Sequence, residues 1–175
     1  MNSEKEFKNA YDLRSGITIY TSQDQAIDTI ITSLVTKVPA KFVLVTAVTG
    51  QVISAAGDRG KTDLVSLGSL IAGDLAASQE IARLTGVYQE AQMVLREGEK
   101  THSFIAEAGV HLILFVQVTD DVPLGWARIV IREAAKKLED VLNTHPENME
   151  TLDLGAVGVD LPDLFSDALD ELWSQ

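Results

Sequence analysis

Apolar and polar positions divide this chain into runs of two different periods. From Ser22 to Val38, Ile27, Ile30, Ile31, Leu34, Val35 and Val38 recur at three- and four-residue spacing, which predicts an amphipathic helix ended by Pro39. Its start carries the capping-box pattern Ser22-x-x-Gln25. Two β-branched runs follow, Lys41 to Val48 and Gln51 to Ala56, joined by Thr49-Gly50, a two-residue hairpin signal that makes them antiparallel neighbours.

The stretch from Thr62 to Gly86 reads as one long helix, with Thr62 or Asp63 able to cap its first amides and Gly86 placed for a left-handed C-cap. Leu64, Leu67, Ile71, Leu75 and Ala82 form a stripe to bury. Around that stripe Gly68, Ala72, Gly73, Ala76, Ala77 and Ser78 leave the neighbouring faces almost bare. Two readings are open: these small residues pack beneath their own sheet, or they let a second backbone approach closely. Beyond Gly86, Ala91 to Glu97 and Thr101 to Ala108 predict a hairpin around Gly98, and the nearly all-apolar run Val110 to Val118 predicts a central strand covered on both faces. Asp120-Asp121-Val122-Pro123 opens a last helix with Leu124, Ala127, Val130 or Ile131, Ala134, Leu138 and Val141 inward.

The order helix, two strands, helix, three strands, helix implies an α/β layered fold. A five-stranded antiparallel sheet carries two helices on one face and the middle helix on the other. Residues 1–21 form an arm with only a short β-like patch, Ile17 to Tyr20; residues 22–142 form the domain and 143–158 a polar linker. In residues 159–175, Leu161, Leu164, Phe165, Ala168, Leu169, Leu172 and Trp173 repeat at helical spacing between Asp163, Asp167, Asp170 and Glu171, with Pro162 suited to the first turn. Such a segment docks on something, either a partner or its own body.

Composition narrows the chemistry. The chain has 175 residues, 46% apolar and 23% charged, which suits one compact domain with an extension and argues against general disorder. It has no cysteine, so disulfides and thiolate metal sites are excluded. Met1 is not followed by an apolar signal core, and no apolar run reaches the roughly eighteen residues that span a bilayer, so a soluble, cytoplasmic protein is expected. Of the net charge of −12, eight carboxylates lie in residues 143–175, which hold no Lys or Arg. So acidic a chain would repel phosphates, which argues against nucleic acid and anionic membranes as partners.

Candidate catalytic motifs fail on context. Ala55 to Thr62 matches a relaxed phosphate-binding loop, but such a loop follows a buried strand of a parallel sheet, and Asp58 would set a carboxylate beside the phosphates. His102, His111 and His145 are dispersed without metal-ligand spacing. Ser54, Ser66, Ser69 and Ser103 have no base in a recognisable pattern, and Arg128 and Arg132, one helical turn apart, read as surface charges. No catalytic site, cofactor site or metal site is expected.

The pattern resembles the roadblock/LC7 family, and within it the bacterial branch of MglB-type partners of Ras-like GTPases, over roughly residues 23–142. The resemblance rests on Phe42-Val-Leu-Val-Thr46, Gly50-Gln-Val-Ile-Ser-Ala-Ala-Gly57, then Ser66-Leu67, Ser69-Leu70, Ala72-Gly73 and Ala76-Ala77, and on Leu124-Gly125 with Ala127-Arg128. Asp163-Leu164-Phe165-Ser166 is similar to the acidic, Phe-containing tail of that branch. The resemblance implies a homodimer made by pairing middle helices and joining sheet edges, with Leu67, Gly68, Ile71, Ala72, Leu75 and Ala76 in the interface. It implies a small GTPase as partner, whose hydrolysis of GTP is accelerated by moving its own switch residues, in a setting of bacterial cell polarity or motility. Leu161, Leu164, Phe165, Leu169 and Trp173 are the expected partner-binding residues of the tail. The alternatives are a dimeric adaptor that leaves nucleotide turnover unchanged and a ligand-sensing domain with an apolar pocket under its helices.

Overall fold

The structure, a computed structural model, describes residues 10–87 and 92–155. Seven strands, three α-helices and one 3-10 turn make up the described residues: β1 (Tyr11–Asp12), β2 (Thr18–Ile19), α1 (Thr21–Lys37), β3 (Ala40–Ala47), β4 (Val52–Gly57), α2 (Leu64–Leu84), β5 (Met93–Glu97), β6 (Thr101–Ala108), β7 (Leu112–Thr119), α3 (Leu124–Asn143) and the turn Pro146–Thr151. β3 to β7 form one antiparallel sheet with two hairpins and β7 central, as the apolar runs and turn residues predict, and its strand order is β4-β3-β7-β6-β5.

The apolar run of β7 sits centrally because each of its faces has a layer to bury against. Leu112, Leu114, Val116 and Val118 join Val43, Val45 and Phe104 beneath α1 and α3, while Ile113 and Phe115 join Phe42, Leu44 and Ile105 beneath α2. Two helices therefore cover one face and the middle helix the other. The first cluster is the larger, since α1 brings Ile27, Ile30, Ile31 and Leu34 and α3 brings Val130, Ile131, Leu138 and Val141.

Local details depart from the sequence expectation at three places. α1 starts before the Ser22-x-x-Gln25 box: its N-cap is Tyr20, and the Tyr20 amide donates to Oε1 of Gln23 at 3.1 Å. Gln23 is almost fully buried, and its Nε2 donates to the carbonyls of Val141 at 3.1 Å and Thr144 at 3.2 Å, so one amide side chain ties the start of α1 to the end of α3. Residues 11–19 form a small hairpin whose Leu13 and Ile19 are core residues; strands of two residues are too short to show a period. In the segment read as a linker, Met149 is buried and Leu152 and Leu154 pack on the larger cluster.

Candidate functional site

α2 begins where Asp63 takes the N-cap position, its carboxylate accepting from the amides of Val65 at 3.1 Å and Ser66 at 3.5 Å. The Ser66 hydroxyl and these amides hold the Asp63 carboxyl below its ordinary range. From there the helix crosses the sheet on a narrow inward stripe. Gly68, Ile71, Leu75 and Ala82 are buried, and Leu64, Leu67 and Ala72 are half-buried beside them.

The crossing is closest over the β3–β4 turn. A Cβ on Gly68 would lie 2.6 Å from the carbonyl oxygen of Gly50, and a Cβ on Gly50, whose φ is +84°, would lie 2.8 Å from Cα of Ser69. Here backbone meets backbone within one protomer. Gly73 differs, because a Cβ there would meet no atom within 4 Å. The small residues of α2 therefore have two destinations: Gly68 packs on its own turn, while Gly73, Ala76 and Ala77 are exposed.

On that outward side the helix is also apolar. Val65 and Leu70 are each 71% exposed, Ile81 62% and Leu84 79%. Ser66, Leu70, Gly73, Ala77, Ile81 and Leu84 follow one another at four, three, four, four and three residues, so they line a single strip along the outer surface of the helix. Along the flank facing β5 and β6, polar contacts hold the helix to the sheet: Arg96 pairs with Asp74 at 2.7 Å, and Gln79 donates to Glu107, which also accepts from the Gln92 amide at 3.0 Å. The adjoining strand, β5, is one edge of the sheet.

Of the interface residues expected from the sequence, Ala76 is exposed and Leu67 and Ala72 are at the margin of the inward stripe. Gly68, Ile71 and Leu75 lie beneath the helix against their own sheet and reach no outer surface. Of the outward residues, Leu70 belongs to the Ser69-Leu70 pair that carries the family resemblance; Val65, Ile81 and Leu84 are not singled out by sequence, although the second three-four repeat is the signal for Ile81 and Leu84. Leu161, Leu164, Phe165, Leu169 and Trp173 lie outside the described residues.

The loop that mimics a phosphate-binding motif follows β4, an edge strand of an antiparallel sheet. It folds on itself, with Asp58 Oδ1 accepting from the Gly60 amide at 2.9 Å. Among the described residues no group of three or more His, Asp or Glu has metal-ligand geometry. Nor is any helix among them long and apolar enough to cross a membrane.

The Roadblock/LC7 domain family matches residues 28–118. Among solved structures, the chain is similar to Myxococcus xanthus MglB, with 31% identity over 67% of this chain and 94% of that one at a TM-score of 0.63. The gliding protein MglB of Thermus thermophilus shares 22% identity over 71% of this chain and 94% of its own, at a TM-score of 0.64. An MglB with a tetrameric arrangement shares 23% over 73% and 94%, at 0.63. No curated protein matches the chain in sequence. The family match takes in β3 to β6, β7 as far as Val118 and the whole of α2, and the fold is that of the MglB structures; the chain belongs to the roadblock/LC7 family as a member of the MglB type.

Proposed function

We propose that two copies of this chain pair through the outward strip of α2, and that the paired helices form a platform that regulates a small Ras-like GTPase. The observation that carries the reading is the two-sided apolar character of α2. One stripe holds the helix on its own sheet, while Val65, Leu70, Ile81 and Leu84 remain exposed around Gly73, Ala76 and Ala77. Full burial of one such large side chain is worth about 1.5–3 kcal/mol, and a bare centre lets two helices close to the separation at which that burial is complete. Leu67 and Ala72 border the contact, and Gly68, Ile71 and Leu75 support it from beneath. β5, as an exposed edge beside α2, offers its unpaired backbone to the same edge of the second copy.

The tetrameric arrangement of a related MglB supports assembly beyond the single chain. The likeness to Myxococcus xanthus MglB supports a GTPase partner, and with the resemblance to MglB-type partners of Ras-like GTPases it supports action by repositioning the partner's own switch residues: such a chain would contribute a shaped surface and no reacting group. The acidic, amphipathic residues 159–175 supply a second contact, complementary to a basic patch on the partner, and the protein works in the cytoplasm. The test is GTP turnover by the cognate Ras-like protein with and without this chain, alongside binding in the GTP and GDP states. Acceleration is the expected result. Nucleotide-dependent binding without acceleration would leave a scaffold, and neither binding nor acceleration would remove the GTPase from the account.

A further inference from the structure

A cleft of about 680 Å³ opens at the end of the sheet where β6 turns into β7, between α2 and α3. Val48, Leu75, Met93, Val110 and Leu112 give it an apolar lining, and Arg83, Arg132 and Lys136 bring three cations to it. Val48 is 41% exposed and Val110 79%, so large apolar side chains stand open to water at its mouth. Its two acids are engaged: Glu107 accepts from Gln79 and the Gln92 amide, and Glu139 from Lys136. Arg132 forms no ion pair among the described residues. Arg83 pairs with Glu80, and Lys136 with Glu139 and Asp140, which leaves Arg132 as the charge the cleft offers; an apolar cavity of this size beside that arginine fits an acidic segment with large apolar side chains.

The chain carries such a segment. Residues 156–175 hold five carboxylates and no Lys or Arg, and they place Leu161, Leu164, Phe165, Leu169 and Trp173 at helical spacing. The described chain ends beside the helix that supplies two of the three cations, because Lys137 Nζ of α3 donates to the Gly155 carbonyl at 2.6 Å and Leu152 and Leu154 pack on the core. The six residues from Gly155 to Leu161 span at most about 20 Å, against the roughly 10 Å width of a helix to be crossed. We infer that the cleft is the seat of this chain's own residues 161–173, which dock there in cis with their apolar side chains toward Val48, Val110 and Met93 and their carboxylates near Arg132 and Lys136. A tail held this way is a latch, and a partner that takes the tail must first compete it off. A connection of this length sets an effective concentration in roughly the millimolar range, so even a weak contact is populated.

The inference stands on the cleft and the tail alone, and its test contains neither a GTPase nor a nucleotide, so it can fail while the GTPase reading holds. Amide NMR spectra of the full chain are compared with those of full-length Leu164→Asp/Phe165→Asp, whose changes lie outside the described residues. Expected are shifts of the Val48, Val110, Arg132 and Lys136 amides. In a second variant, Arg132→Glu/Lys136→Glu, both positions are exposed on α3, so the fold is preserved; the Trp173 emission, isolated by difference from Trp173→Phe, should move to longer wavelength and become more open to acrylamide. Unchanged spectra in the tail variant would overturn the inference, as would shifts confined to Leu70, Gly73 and Ala77. Mixing isotope-labelled tail variant with unlabelled normal chain tests for exchange between copies: recovery of the normal cleft signals would mean that the tail crosses to the partner copy and would overturn docking in cis.

Discussion

Gly68 of α2 rests on the carbonyl of Gly50 so closely that a Cβ on Gly68 would lie 2.6 Å from that oxygen, while Gly73, little more than one turn further along, faces open space. Two glycines in one helix are thus small for different reasons. Gly68→Ala forces backbone against backbone, with no flexible side chain to yield, and is expected to cost about 1–3 kcal/mol. Gly73→Ala should raise the helix's intrinsic stability by about 0.5–1 kcal/mol and weaken only the pairing of copies. Urea unfolding of both variants, each read with its molar mass, checks the contrast; equal losses of stability would contradict it.

A parallel contrast separates the two apolar stripes. Leu75→Ala removes a fully buried side chain under α2 and should cost about 2–5 kcal/mol of folding stability. Leu70→Ala, at a 71% exposed position, should change the stability of one folded chain by less than about 0.5 kcal/mol. Its effect should appear in association, as a dissociation constant raised about tenfold or more. Chemical unfolding and sedimentation equilibrium of the two variants distinguish the roles.

The fold was legible because its strands and helices differ in period and its central strand is apolar on both sides. The site was half legible: spacing picked out the stripe that meets the sheet, and Ile71, Leu75 and Ala82 are buried there. α2 has a three-four repeat on each of two faces, and period alone does not say that the stripe spent on its own sheet leaves Ile71 and Leu75 no outer surface for a second copy. The Ser22-x-x-Gln25 box misled because Gln23, inside it, has three backbone partners at Tyr20, Val141 and Thr144, two of them far away in sequence. A contact across more than a hundred residues leaves no local pattern.

Gln23 itself yields a prediction. Gln23→Ala leaves the carbonyls of Val141 and Thr144 without their side-chain donor near the end of α3, at a cost of about 1–3 kcal/mol. Amide exchange should quicken first in the last turn of α3 and the first turn of α1. Loss spread evenly through the sheet would count against the clamp.

Alkaline pH tests the small N-terminal hairpin. Burial, and then the hydrogen bond from Tyr11 Oη to Asp24 at 2.9 Å, raise the Tyr11 phenol above its ordinary value of about 10. A raised pKa in the folded state means that the stabilising share is complete below about pH 10 and declines as pH climbs from there toward the folded value. Stability of the normal chain should therefore fall above about pH 10 more steeply than that of Tyr11→Phe, which has no phenol to ionise. Identical pH profiles from unfolding midpoints would show that Tyr11 is not held as described.

The pairing of two copies through the outward strip of α2 is the claim on which the regulatory reading depends, and the mass in solution tests it most directly. Sedimentation equilibrium at micromolar concentration should give twice the 19.0 kDa of one chain, or a higher even multiple, and Gly73→Glu should return it to 19.0 kDa with the fold intact. A normal chain that sediments at 19.0 kDa, or a Gly73→Glu variant that still pairs, would contradict the account.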